Sequence, residues 1–573
     1  MKNFSKMAVM AICLLLTAIF TSACGGSSSK TTPHDNSALY FLLAQQNNQQ
    51  QEENNNEEGP VANTDANLTL TDSLQSDKIA FADIYYSIED NTKKSSADDQ
   101  EILKAEPTAD DKTKFTVKVP DGIDFTKAKI KAILTYDSEE NLLDYFSSYD
   151  GVEATNGSFN VDFGNSKDNE SGFADGNGED KPYIISAPRH FVNINKQDDQ
   201  GNYLYMNKNF KQTADLDFTH LVGFKVNKAD SDKEITGEVA NKKAPFYNEG
   251  KGITKIGGEA DYQAQTTEEE YKNCFKGTYD GDSHTIDGII FVNPKIAEIS
   301  LFNELYKASI KNLTIGENSI VLINENNEIY SERLYVDMLS DYLKNSTVEN
   351  CTNNAKIIIK NVESTYIGIS GVANSYYDAI FKNCTNNGNI TIDKCKVTTD
   401  KGLFISGIGG YSNTCENSTN NGNITLTNSN STYTEITGLF LESYKNITGC
   451  VNKGNIEVSD NTIIGIENSD YYSTFNVFGL TRNIYGTGTN CTNEKNITIK
   501  NNKTNRQINV DISGIADVIY GSMTGFVNSG NITIDGNSDN YVITAKQLNI
   551  EGFGTISNCE ENGTITINGV VQP

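Results

Sequence analysis

The sequence predicts an all-β protein in which a parallel β-solenoid follows a small β-rich domain, and three observations carry that prediction. A seven-residue turn motif recurs as CTNNAKI (351–357), CTNNGNI (384–390), STNNGNI (418–424), CVNKGNI (450–456), CTNEKNI (491–497), FVNSGNI (526–532) and CEENGTI (559–565). Its first positions lie 33, 34, 32, 41, 35 and 33 residues apart, a near-constant period of the kind that marks a solenoid. Each motif runs into an apolar–outer–apolar triplet such as Ile390-Thr391-Ile392 or Ile532-Thr533-Ile534, which is period two with one face buried. A second apolar strand recurs between motifs at 367–371, 403–407, 510–514 and 548–552, with weaker copies ending at Gly438 and Gly479.

The chain begins with a segment that is not part of that fold. Lys2 and Lys6 precede an apolar run at 7–20, and small residues then lead to Cys24. This is the pattern of an export signal, too short to span a membrane comfortably. The run ending in Cys24 resembles the lipobox of bacterial lipoproteins, and the resemblance implies that Cys24 is lipidated and becomes the mature N-terminus. Thr21 stands where that family has Leu, which leaves ordinary cleavage after Ala23 as the alternative. Gly25, rather than Asp, implies the outer membrane by the same resemblance.

Residues 25–66 are rich in Ser, Gln, Asn and Glu, and 45–58 is nearly all Gln, Asn and Glu. Such a stretch buries too little apolar surface to offset the entropy of ordering it, so a flexible spacer is expected. Residues 67–165 contain β-type runs at 68–70, 115–119 and 130–134 and suit a small β-sandwich. The phrase FTVKVPDGID at 115–124 resembles strand-then-turn segments of immunoglobulin-like domains in bacterial surface proteins. A Gly-, Asn- and Asp-rich stretch follows at 162–180. Its DGNGED at 175–180 alternates oxygen side chains like a calcium loop, but Asp180 and Ser186 stand where an EF-hand needs Gly and Glu. A turn-rich linker is expected instead.

The solenoid is expected to run from 181 to 573, with its clearest repeats at 351–573. Segments at 181–194, 214–218, 253–257, 275–290, 300–302 and 309–315 come in an order that resembles the leading part of bacterial surface proteins with GLUG-type repeats. That family implies a right-handed parallel β-helix with an adhesin-like role. Asp280-Gly281 is expected to make a tight turn, with His284-Thr285-Ile286 re-entering a strand. Helical repeats are disfavoured by the β-branched pattern, and leucine-rich repeats by the missing Leu ladder. The column Asn353, Asn386, Asn420, Asn452, Asn493 and Asn528, closed by Glu561, is expected to bond to its own backbone and along the stack. The turn Gly is expected to serve a positive φ.

Composition narrows the partners. The 573 residues carry 47 Lys and Arg against 76 Asp and Glu, a formal charge of −29 that repels phosphate backbones. Nucleic acid is therefore not an expected partner. Five cysteines (351, 384, 450, 491 and 559) share one repeat position with Ser418 and Phe526, which points to apolar packing rather than metal ligation. Disulfides between coils remain the alternative in an exported chain. The four histidines, at 34, 190, 220 and 284, are scattered, and no nucleophile motif is found. No catalytic residue, metal or cofactor is therefore expected. The expected function is a lipid-anchored cell-envelope protein that adheres to or binds a host or cell-surface glycan or protein. A polysaccharide-active β-helix enzyme and a structural envelope component are the alternatives.

Overall fold

The structure, a computed structural model, describes residues 66–88, 101–119, 125–375, 378–397, 401–464 and 474–573. The export signal at 1–24, Cys24 with it, and the spacer up to residue 65 lie outside the described residues.

Two small sheets come first. One joins Lys114–Val117, Ala66–Thr71 and Ser158–Asp162, and the other joins Glu101–Ala105, Phe81–Ile88, Ala128–Tyr136 and Leu142–Glu153. In the first, Leu68 and Leu70 alternate with more exposed Asn67, Thr69 and Thr71. Their buried faces meet Phe115, Phe159, Ile84, Tyr86, Ile130 and Ile133 in one shared core. The outer side of the second sheet rests on the start of the next region. Tyr85 stacks on His220 with ring centroids 4.3 Å apart, and the Ser147 hydroxyl donates to the Asp217 carbonyl at 2.7 Å.

From 278 to 567 the chain winds as a parallel β-solenoid of about eight turns. The strands Tyr183–Ile185 and Phe210–Gln212 extend one of its sheets backwards, also in parallel. A single coil is made of five strands rather than the expected two: Ile390–Asp393, Lys396–Val397, Leu403–Ser406, Gly409–Glu416 and Thr419–Asn420. We number the five stacked sheets in that order, first to fifth. Each strand pairs in register with its counterpart one repeat on, as Ile390 with Ile424 and Leu403 with Thr434. Along 548–552 the sequence expectation is corrected. Asn549–Gly552 pairs with Ala516–Ile519 in the fourth sheet, and Tyr541–Lys546 takes the third-sheet place instead.

The Asn column forms the expected ladder, inside the coil rather than on its surface. Asn353, Asn386, Asn420, Asn452, Asn493 and Asn528 are all buried. Each side-chain amide donates to the next side-chain oxygen at 2.8–2.9 Å from Asn353 through to Asn528. It also donates to a carbonyl two residues on, as Asn420 to Gly422 at 3.0 Å. Every buried amide of the column thereby finds partners.

The role expected for the turn Gly is corrected. The left-handed residues are Asn350, Asn383, Asn417, Gly449, Asn490, Gly525 and Asn558, one place before the motif. Gly388 and its counterparts are needed for space: a Cβ at Gly388 would lie 1.8 Å from the Ala355 carbonyl oxygen of the preceding coil. All eight described cysteines are free thiols, seven of them buried in the core and Cys559 partly so.

Candidate functional site: a groove along the solenoid

The third and fourth strands of each coil meet at a corner built on Gly371, Gly407, Gly438, Gly479 and Gly514. A Cβ at Gly407 would stand 2.1 Å from the Gly438 carbonyl oxygen. The corner is re-entrant, because side chains that leave the core on either side of it meet. On the third sheet Phe475 and Val477 point into the core, so Asn476 between them faces outward. Register puts Phe404, Glu435, Asn476 and Asp511 in one outward column. On the fourth sheet Tyr411, Glu442, Asn483 and Val518 form the facing column. The two columns line a groove that runs along the solenoid.

Aromatic stacks wall the groove on both sides. The fourth-sheet stack runs Tyr411, Tyr444, Tyr485, Tyr520, Phe553, with centroids 6.3, 5.2, 4.8 and 5.7 Å apart. Its three middle members are open to solvent, Tyr444 by 42%, Tyr485 by 38% and Tyr520 by 47%. The third-sheet stack runs Tyr335, Tyr366, Phe404, Tyr433, at 4.9, 5.5 and 5.2 Å. Gly368 makes room for it, since a Cβ there would lie 2.8 Å from the Tyr366 ring. The rings use their faces on one another, so they present edges and hydroxyls to the groove.

The floor carries charge. Arg482 Nη1 lies 3.3 Å from Glu435 Oε2 and 3.9 Å from Glu442 Oε1. The Tyr433 hydroxyl donates to Glu435 Oε2 at 2.6 Å, and Asn483 Nδ2 donates to Glu442 Oε1 at 3.0 Å. Burial pushes the Glu435 carboxyl up to about 7, against the pull of Arg482. Burial and the charge of Asp511 push Asp517 up to about 6. Three carboxylates, Glu435, Glu442 and Asp517, thus gather around one guanidinium. At the N-terminal end of the same groove a partly buried lysine plays the arginine's part, with Lys255 Nζ 2.9 Å from Asp341 and 3.5 Å from Glu298.

The polar residues singled out by their sequence patterns fall elsewhere. Asp280 is turn chemistry, accepting from the Asp282 amide at 3.0 Å and from Asn312 Nδ2 at 2.9 Å. His284 turns away to Asp215 at 3.3 Å. In the calcium-like loop, Asn177 Oδ1 accepts the Glu179 and Lys181 amides, the bonding of a side-chain-closed turn. Among the described residues no group of three or more His, Cys, Asp or Glu side chains is placed to hold a metal ion.

One grouping missed from the sequence is Ser186, His190 and Asp168, beside a cleft of about 270 Å³ where the small sheets meet the first coil. His190 Nε2 lies 2.8 Å from Asp168 Oδ1, and Nδ1 lies 3.4 Å from the Ser186 hydroxyl. The resemblance to a hydrolytic triad is superficial. Nδ1 already accepts the Ser186 amide at 3.1 Å, which occupies the lone pair a general base would need. Asp168 is clamped by Arg189 through bonds of 2.7 and 2.9 Å. The grouping locks the helix Pro188–Asn193 to the preceding loop.

Fold and groove together define a parallel β-solenoid with an acidic, aromatic-walled channel on one edge. No protein-family model, curated protein or solved structure matches the chain.

Proposed function

We propose that this chain is a lipid-anchored protein of a bacterial cell envelope whose solenoid binds a surface ligand along the groove, in an adhesive role. The observation that carries the binding role is the exposed stack of Tyr444, Tyr485 and Tyr520 beside a polar floor. Contiguous solvent-exposed aromatic side chains of this kind support an interaction role. The resemblance to GLUG-type surface proteins supports the same role and, with it, a right-handed coil and immunoglobulin-like small sheets. The lipobox-like run ending in Cys24 supports an anchor in the outer membrane with the solenoid outward, and the Gln- and Asn-rich spacer gives it reach. The ligand is a glycan or protein of a host or neighbouring cell. Nucleic acid does not suit an acidic groove.

A polysaccharide-cleaving enzyme is the second reading, favoured by Glu435 and Glu442 sharing Arg482, since glycosidases work with carboxylate pairs. A catalytic acid must be free to reach the leaving oxygen, and the Glu435 carboxyl is already committed to the Tyr433 hydroxyl at 2.6 Å and to Arg482 at 3.3 Å, so we favour binding without catalysis. Binding of the full chain to panels of glycans and matrix proteins tests the proposal, together with an assay for reducing ends. Retention without new reducing ends supports it. Release of reducing ends would replace it with the enzyme, and no retention on any surface would leave a structural envelope role.

A further inference from the structure

We infer that the groove segment between Asn476 and Asn483 takes an uncharged hexose unit of a neutral glycan, an inference that rests on the binding role proposed above. Among the described residues, three buried polar atoms of this segment lack a hydrogen-bond partner: Asn476 Oδ1, Asn483 Oδ1 and Arg482 Nε. Asn476 is 4% and Asn483 5% exposed. Buried polar groups are satisfied in folded proteins with few exceptions, because each orphan carries a desolvation penalty. Three orphans within one coil, on the two strands that flank Gly479, therefore mark a place where something else completes the bonding.

The chemistry of the orphans selects the ligand. Two are acceptors and one is a donor, so the missing partner must both give and take hydrogen bonds. A hydroxyl does both, and neighbouring hydroxyls on a sugar ring can span side chains set side by side. The walls fit the same ligand. Tyr433 and Tyr485 flank the floor with amphipathic rings, and Tyr485 already shares a 3.3 Å bond with Asn483 Nδ2. Charge sets the class. Glu435, Glu442 and Asp517 surround the Arg482 cation, with Asp511 beside Asp517, so a uronate or a sulfated chain meets surplus negative charge.

Calorimetric titration of the full chain with cellohexaose, maltohexaose and mannohexaose, and with oligogalacturonate and a heparin hexasaccharide, tests the inference. At least one neutral hexasaccharide is expected to bind. Asn476→Leu is expected to weaken it tenfold or more while leaving the melting temperature unchanged or higher, because the Oδ1 it removes is an orphan. Asn483→Leu, which also gives up the Nδ2 bonds to Glu442 and Tyr485, serves as the second variant and is expected to weaken binding at some cost in melting temperature. Preference for an anionic oligosaccharide, or neutral binding that neither variant weakens, would overturn the inference. Retention only on proteins would overturn it while leaving the binding role intact, whereas no retention on any surface would overturn both.

Discussion

The guanidinium of Arg482 sits 3.3 Å from the carboxylate of Glu435, although the two belong to different coils and to sheets on opposite sides of a glycine corner. That pairing is what closes the bottom of the groove. Its two partners are unequal: Glu435 is almost fully buried, while the Arg482 side chain keeps about a third of its surface. The carboxyl therefore feels the low dielectric more, and its proton affinity rises.

A pH dependence follows from Glu435. Its carboxyl titrates near 7 in the folded chain against an ordinary 4.5, so the folded state binds the proton more tightly. Stability from this group is then fully present below about pH 4.5 and is lost as pH rises to about 7, by roughly 3 kcal/mol at most. Glu435→Gln should gain relative to the native chain across that window. Denaturation midpoints of both proteins at intervals from about pH 4.5 to 8 check this, and parallel curves would contradict it.

The Asn ladder should be costly to interrupt. Asn420 is fully buried and bonds to Asn386, Asn452 and the Gly422 carbonyl. Asn420→Leu orphans the amide and carboxamide groups on both sides, each worth about 1–3 kcal/mol. A loss of several kcal/mol in chemical denaturation is expected, and an unchanged midpoint would count against the ladder.

The corner glycines should resist any side chain. Gly407→Ala places a Cβ 2.1 Å from the Gly438 carbonyl oxygen and forces a backbone shift. Overpacking of this kind costs about 1–3 kcal/mol. Gly552→Ala, where nothing approaches closer than 3.3 Å, should be nearly neutral by comparison. Equal effects of the two substitutions on thermal unfolding would contradict the steric account.

The anchor is tested by Cys24→Ala. Each buried CH₂ of an acyl chain holds a protein to a membrane by about 0.8 kcal/mol, and stable anchoring takes two signals. The variant should move from the membrane fraction to the soluble one. Fractionation identical to the native chain would remove the lipid anchor from the account.

Much of the architecture is legible in the sequence because stacking repeats its demands. Ile390, Ile424, Ile456, Ile497 and Ile532 meet the same core in successive coils, and the Asn column meets the same carbonyls. The fourth strand of each coil is hidden for the opposite reason. Tyr411, Glu442, Asn483 and Val518 share a register position but no chemistry, since they face the groove and not the core. A site built from unlike residues leaves no periodic trace. Its one readable signal is the recurrence of Tyr411, Tyr444, Tyr485 and Tyr520 at near-repeat spacing. His190 and Asp168 are equally hidden, because 22 residues of sequence separate partners 2.8 Å apart. The turn Gly misleads because the same residue type serves both a left-handed backbone and a tight approach, and only the neighbouring coil distinguishes them.

Oxidative footprinting of the full chain, with and without a saturating neutral oligosaccharide, shows whether ligand lies along the tyrosine-walled groove. Tyr444, Tyr485 and Tyr520 are solvent-exposed in the free protein and should become protected on binding. Unchanged oxidation at these three tyrosines while the ligand is bound would contradict that placement.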